Sequence, residues 1–200
     1  MKRISLNLLF TLLTVIIPNS PVFGQTEKNP SQTQFFVGYE LGEMAFNKFQ
    51  FFAGEAGLLF KTQHMLRFVH MNVKIAEKHL SSDFANVVDG ENVKGLFKGY
   101  ELFYDIRIYK SFYAGASAGY YNNFYRHTKL NESVDHFSST LGFELTYRET
   151  NIFKVEGLYF NLALPFRFYL NPLEKTELGN STVNRHFLEN NIWIFIGYQF

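Results

Sequence analysis

Two His-x-Ser pairs have the spacing for chemistry: His79-Leu80-Ser81 and His136-Phe137-Ser138. Residues two apart on a strand share a face. An imidazole base and a hydroxyl nucleophile can therefore converge there, as acyl transfer requires. His136 and Ser138 are the catalytic candidates, because His79 falls where a loop should begin. A second group is the histidines His79, His127, His136 and His186, all at the end where the long loops are expected. Brought together with Asp135 or Glu132 they could ligate a metal, but no zinc-ligand spacing is present. For both groups, polar side chains at a solvated rim are the weightier alternative. No cofactor motif occurs, and the absence of Cys excludes thiol nucleophiles, Cys-ligated zinc and disulfide scaffolds.

The elements that would hold these residues are suggested first by composition. The 200 residues carry 19 Lys and Arg against 18 Asp and Glu, a formal charge of +1. A nucleic-acid binder would show a basic excess, so that class is set aside. Aromatic residues make up 18 % of the chain, with 24 Phe, 12 Tyr and one Trp. Yet the mean hydropathy is −0.11, too polar for a bundle of membrane helices. The rings need another location.

Residues 1–24 have the layout of a secretory signal peptide. Lys2 and Arg3 precede an uncharged stretch from Leu8 to Ile17, which Pro18 and Pro21 break, and Val22 and Gly24 stand at −3 and −1 of a cut before Gln25. The stretch is too short to span a hydrocarbon core of about 30 Å as a helix. Residues 25–34 form a polar lead-in, and residues 35–200 form one domain.

From Phe35 onward the apolar period is two, which marks strands with one apolar face. The alternation predicts eight strands, over 34–46, 49–60, 65–77, 95–109, 111–125, 135–148, 152–170 and 187–200. Most are near or above the about 9–11 residues that cross a bilayer as a tilted strand. The connections 61–64, Lys110 and 149–151 are short, whereas 78–94, 126–134 and 171–186 are long. A turn at Asn47-Lys48 is the exception. Long loops at one end and tight turns at the other suit an outer-membrane barrel.

The polar face carries Gly38, Gly42, Gly57, Gly115, Gly119 and Gly142, small residues wanted in a narrow lumen. It also carries Glu40, Glu55, Lys74, Glu101, Asp105, Arg107, Glu144, Arg148 and Arg167. Charges of both signs can pair inside, so these residues are expected to form a lumen charge network. The apolar face then meets lipid. On it, Phe35, Phe112, Tyr147, Tyr198 and Phe200 fall at the tight-turn end, and Tyr100, Tyr120, Phe137 and Phe168 toward the other. Two such belts match the aromatic girdles of membrane barrels.

On this pattern, residues 35–200 resemble the small eight-stranded outer-membrane β-barrels of the OmpA-transmembrane-domain and OmpX-like type. The resemblance implies an all-β, antiparallel, up-and-down transmembrane barrel in a Gram-negative outer membrane. Its most specific element is the final stretch Ile192-Trp-Ile-Phe-Ile-Gly-Tyr-Gln-Phe200. In that family a terminal aromatic strand is read by the barrel-assembly machinery, a role that Tyr198 and Phe200 would take, although Gly197 lies later than the family signal usually places its glycine. Pro165 is a second departure, because it removes a ladder hydrogen bond and suggests a bulge or an early strand end. Lipid A deacylases of similar size also carry a His-x-Ser pair, but the Asn-Ala-Gly that follows it there is absent after Ser138.

The expected role is therefore structural or surface-interacting, without a useful pore. Outer-membrane lipid and the assembly machinery are the expected partners. The loops 78–94 and 171–186 are free to meet an extracellular one. The alternatives are a lipid-A-modifying enzyme in the same barrel, and a secreted soluble barrel around an apolar ligand.

Overall fold

The computed structural model describes residues 33–42, 52–61, 63–75 and 92–200. The predicted signal peptide, nearly all of the predicted lead-in, the Asn47-Lys48 turn, the His79-Leu80-Ser81 pair and most of loop 78–94 lie outside the described residues. Strands β1 (Gln34–Glu40), β2 (Gly54–Phe60) and β3 (His64–Ile75) precede three long ones, β4 (Val93–Tyr109), β5 (Phe112–His127) and β6 (Ser133–Thr150). β7 (Leu158–Tyr169) is followed by a small hairpin, β8 (Thr176–Leu178) and β9 (Ser181–Val183), and then by β10 (Leu188–Asn190) and β11 (Trp193–Gln199).

Each of β1 to β6 pairs antiparallel with its successor, and β11 pairs with both β7 and β1. Eight strands thus close an up-and-down ring, the β-barrel architecture expected from the alternation. The closing register sets Phe36 against Gln199 and Glu40 against Phe195. Closure satisfies backbone groups that an open sheet leaves bare at its edges. No helix among the described residues is long and apolar enough to cross a membrane.

Side chains alternate strictly inward and outward. Along β4 the odd residues from Val93 to Asp105 are buried, and along β7 every second residue from Tyr159 to Tyr169 is buried. The interior holds three apolar clusters. Phe36, Leu59, Met65, Tyr113 and Tyr159 fill the tight-turn end. Val69, Phe97, Phe103, Tyr121, Trp193 and Phe195 fill the middle. At the long-loop end, Leu173, Leu178 and Val183 fold in from the last loop onto Val93 and Tyr125. The β8–β9 hairpin therefore helps to cover that mouth.

Four details differ from the sequence expectation. First, β3 has the opposite phase. Val69 and Met71 point inward, while His70, Asn72 and Lys74 lie on the outer face. The cause is Arg67, whose charge must reach carboxylates inside, so the period of two carries Val69 and Met71 in with it. Second, residues 152–154 form a turn of 3-10 helix and not strand, with Asn151, Phe153 and Lys154 at positive φ. Third, β5 and β6 run further than predicted, so the long connection expected over 126–134 shrinks to 128–132. That is shorter than the 151–157 connection at the opposite end, so the loop asymmetry rests on the other connections. Fourth, Pro165 neither bulges nor ends β7. Its carbonyl still accepts from the Asn191 amide at 3.4 Å. The return bond needs a donor that proline lacks, and the partner strand is interrupted at that level, between β10 and β11.

Candidate functional site

The most developed polar assembly is inside the ring. Four arginines (Arg67, Arg148, Arg167 and Arg185) and six carboxylates (Glu40, Glu55, Glu101, Asp105, Glu144 and Glu189) are buried among the described residues. Arg67, on β3, is the centre of the first layer. Its Nη1 donates to Glu55 at 2.9 Å, its Nε to Asp105 at 3.1 Å, and its Nη2 faces Glu144. Phe103 covers the guanidinium at 4.6 Å. Glu55 also accepts from the Tyr159 hydroxyl at 2.8 Å and from Asn161 Nδ2 at 3.0 Å. Arg148 lies 3.7 Å from Glu55 and stacks over Tyr159 and Phe36.

A second layer lies nearer the loops. Arg167 reaches Glu101 at 3.7 Å and Glu189 at 3.4 Å, with Trp193 beneath it at 4.7 Å. Glu101 accepts from Ser117 at 2.6 Å and from Tyr121. Glu189 accepts from Tyr169 at 2.5 Å, from Asn191 at 2.6 Å and from Arg185, which enters from the last loop. Burial alone would lower the Arg185 pKa, but the Glu189 carboxylate outweighs it and holds the guanidinium above its ordinary value. Glycines make room for this network. A Cβ on Gly115 would collide with Asp105, and one on Gly38 with the Tyr159 hydroxyl. Of the predicted network, Glu40, Glu55, Glu101, Asp105, Glu144, Arg148 and Arg167 are inside. Arg107 is half-buried over Tyr113, and Glu40 accepts backbone amides from Gly42 and Ile194. Lys74 is a correction, because it is exposed on the outer face. Arg67, Arg185 and Glu189 were missed. For Arg67 the legible signal was Leu66 and Phe68 flanking a cation, which puts the apolar pair outward and the charge inward.

The outer surface is the complement. Phe35, Tyr100, Phe112, Tyr120, Phe137, Tyr198 and Phe200 are all exposed. Tyr147 and Phe168 are half-buried. Neighbouring rings pack around the circumference: Phe35 stacks on Phe200 at 6.4 Å and Phe112 meets Tyr147 tilted at 5.1 Å at the tight-turn end, while Tyr120 stacks on Phe137 at 5.6 Å and His70 on Tyr100 at 4.7 Å at the other. Between these belts lie Leu102, Tyr104, Ile106, Leu141, Phe143 and Leu145, each 46–52 % exposed. Phe137 to Tyr147 spans ten residues, or about 25 Å across a barrel whose strands tilt by about 40°.

His136 and Ser138 both hydrogen-bond to the same backbone carbonyl and not to each other. His136 Nε2 lies 2.8 Å from the Asn171 carbonyl, and Ser138 Oγ donates to that same oxygen at 3.0 Å. The pair therefore clasps the start of the last loop. His127 Nδ1 accepts the Lys129 and Leu130 amides at 3.2 and 2.9 Å, so it holds the β5–β6 turn. His186 is exposed. No group of three or more His, Asp or Glu suited to a metal occurs among the described residues. A hollow of about 270 Å³ at the long-loop end is lined by Asn92, His127, Lys129, Leu130 and Asn180. Compared with protein-family models, curated proteins and solved structures, the chain matches none.

Proposed function

We propose that this protein is an integral bacterial outer-membrane β-barrel of the small OmpA-transmembrane-domain and OmpX-like type, exported by a cleaved signal peptide, with a structural or surface-interaction role. One observation carries the reading: the usual placement of charge and grease is inverted. The described interior buries ten acidic and basic side chains, while the outside presents an uncharged, ring-bordered band. In water an exposed apolar surface of that extent would aggregate. In a bilayer it is what the hydrocarbon requires, and the observed height suits an outward apolar band of about 25 Å. The lumen is filled by side chains, which supports a role other than conduction. Tyr198 and Phe200 serve as the assembly signal in this reading.

The test is fractionation combined with gel migration. The protein should sediment with outer membranes and migrate as a compact species until boiled. Soluble protein in the periplasm or medium, unaffected by boiling, would overturn the proposal and favour a secreted carrier.

A further inference from the structure

We propose that the outer face of β3, β4 and β5, just beyond the upper aromatic belt, is a binding site for a multiply phosphorylated glycolipid headgroup. The inference rests on the membrane reading above and adds a specific lipid ligand to it.

Four cations occupy this face: Lys74 on β3, Lys94 and Lys98 on β4, and Arg126 on β5, all exposed. The register makes them neighbours. Lys94 stands directly opposite Arg126. Lys74 stands opposite Leu96, and so lies diagonal to both Lys94 and Lys98. Direct cross-strand neighbours are about 5 Å apart at Cβ and diagonal ones about 7–8 Å, and like charges directly opposite destabilise a sheet. None of the four is paired with another described residue. Asp135 on β6, opposite Phe124 and diagonal to Arg126, is the one outward strand carboxylate beside them among the described residues. An anion held between the four cations would offset the cost of the cluster.

Height selects the anion. Tyr100 and Tyr120 are cross-strand partners in the belt that marks the apolar boundary. Lys98 lies two residues beyond that level and Lys94 six, which is about 5 and 15 Å above it on a tilted strand. A phospholipid headgroup layer is only about 5–8 Å thick. Cations that reach about 15 Å above the boundary, about two to three times that thickness, match a tall sugar headgroup bearing several phosphates. At the tight-turn end the exposed cations of the described residues, Lys61, Lys110 and Lys154, sit in separate turns, and the outward strand positions include Phe35, Phe112, Tyr147 and Tyr198.

The full chain, folded in phosphatidylcholine nanodiscs, tests the site. The probes are bisphosphorylated lipid A, the same lipid with its phosphates removed, phosphatidylglycerol, and inorganic phosphate. The readouts are retained lipid and the temperature at which the compact gel species is lost. The phosphorylated glycolipid should be retained at least tenfold more tightly than the dephosphorylated form. Combining Lys74→Gln, Lys94→Gln, Lys98→Gln and Arg126→Gln should abolish that preference, at roughly fivefold per cation. The compact gel species reports whether this variant has folded. Lys110→Gln with Lys154→Gln, at the opposite end, should retain the preference. An unchanged preference in the fourfold variant would overturn the proposal. So would equal affinity for phosphatidylglycerol or for inorganic phosphate. A chain that inserts but discriminates among no lipids rejects this site alone. One that never inserts rejects the membrane reading with it.

Discussion

Arg67 is surrounded by Glu55, Asp105 and Glu144 with no solvent access on either side of the contacts. Removing one member of such a group strands the others, because a buried charge without its partner keeps its desolvation cost. Arg67→Met should therefore destabilise the folded barrel by about 3–5 kcal/mol in urea titrations from lipid vesicles. A loss below 1 kcal/mol would mean that water reaches the lumen and screens the carboxylates. His136 presents the opposite case. Its imidazole meets a backbone carbonyl at the barrel rim, so His136→Ala should cost about 1 kcal/mol or less. Lipid A acylation should be unchanged in cells carrying that variant, and a changed acyl pattern by mass spectrometry would restore the catalytic reading. Lys74 teaches the same point about position: its charge is outward and not in the lumen.

At the scale of elements, β7 shows how closure tolerates a defect. Pro165 sits inside a strand paired on both sides, with Glu144 across on β6. The missing donor falls on the side of Asn191, and the interruption between β10 and β11 lies there. Pro165→Ala supplies that donor. It should create a slowly exchanging amide at position 165, worth about 0.5–1.5 kcal/mol before the loss of proline rigidity is set against it. Loop-like exchange at that amide would show that the gap has another cause. The last loop is likewise an element with a purpose. Its hairpin packs Leu178 and Val183 onto Val93, and Arg185 locks onto Glu189 behind it. The predicted loop 171–186 is thus more anchored than an open recognition loop would be.

For the whole molecule, the decisive quantity is the free energy of placing charge on the outer band. Ala116 is exposed near the middle of that band, opposite Tyr104 and Phe143. Ala116→Arg removes almost no packing, so the solvent alone sets its effect. In a bilayer it should cost about 2–4 kcal/mol, measured as folding efficiency into lipid vesicles. On a water-soluble barrel the same change would fall within about 0.5 kcal/mol, and that result would contradict the membrane reading.

The period-two pattern and the short connections determined the eight strands of the ring, their antiparallel order and most inward and outward assignments, because pleating ties each side chain's face to its position in the chain. The belts of Phe35, Phe112, Tyr100 and Tyr120 were legible for the same reason. What the sequence left open was phase wherever both faces were mixed. In β3 the apolar Val69 and Met71 and the polar His70 and Lys74 fit either orientation locally. Leu66 and Phe68 on either side direct Arg67 inward, but only the ring delivers the carboxylates of β2, β4 and β6 to the one point where they meet its charge. The partners of Arg185 and Glu189 were also decided by tertiary structure, since a loop's return path is not encoded by any short-range period. The cation cluster of β3, β4 and β5 depends on cross-strand register, which brings residues far apart in the chain within a few ångströms of one another.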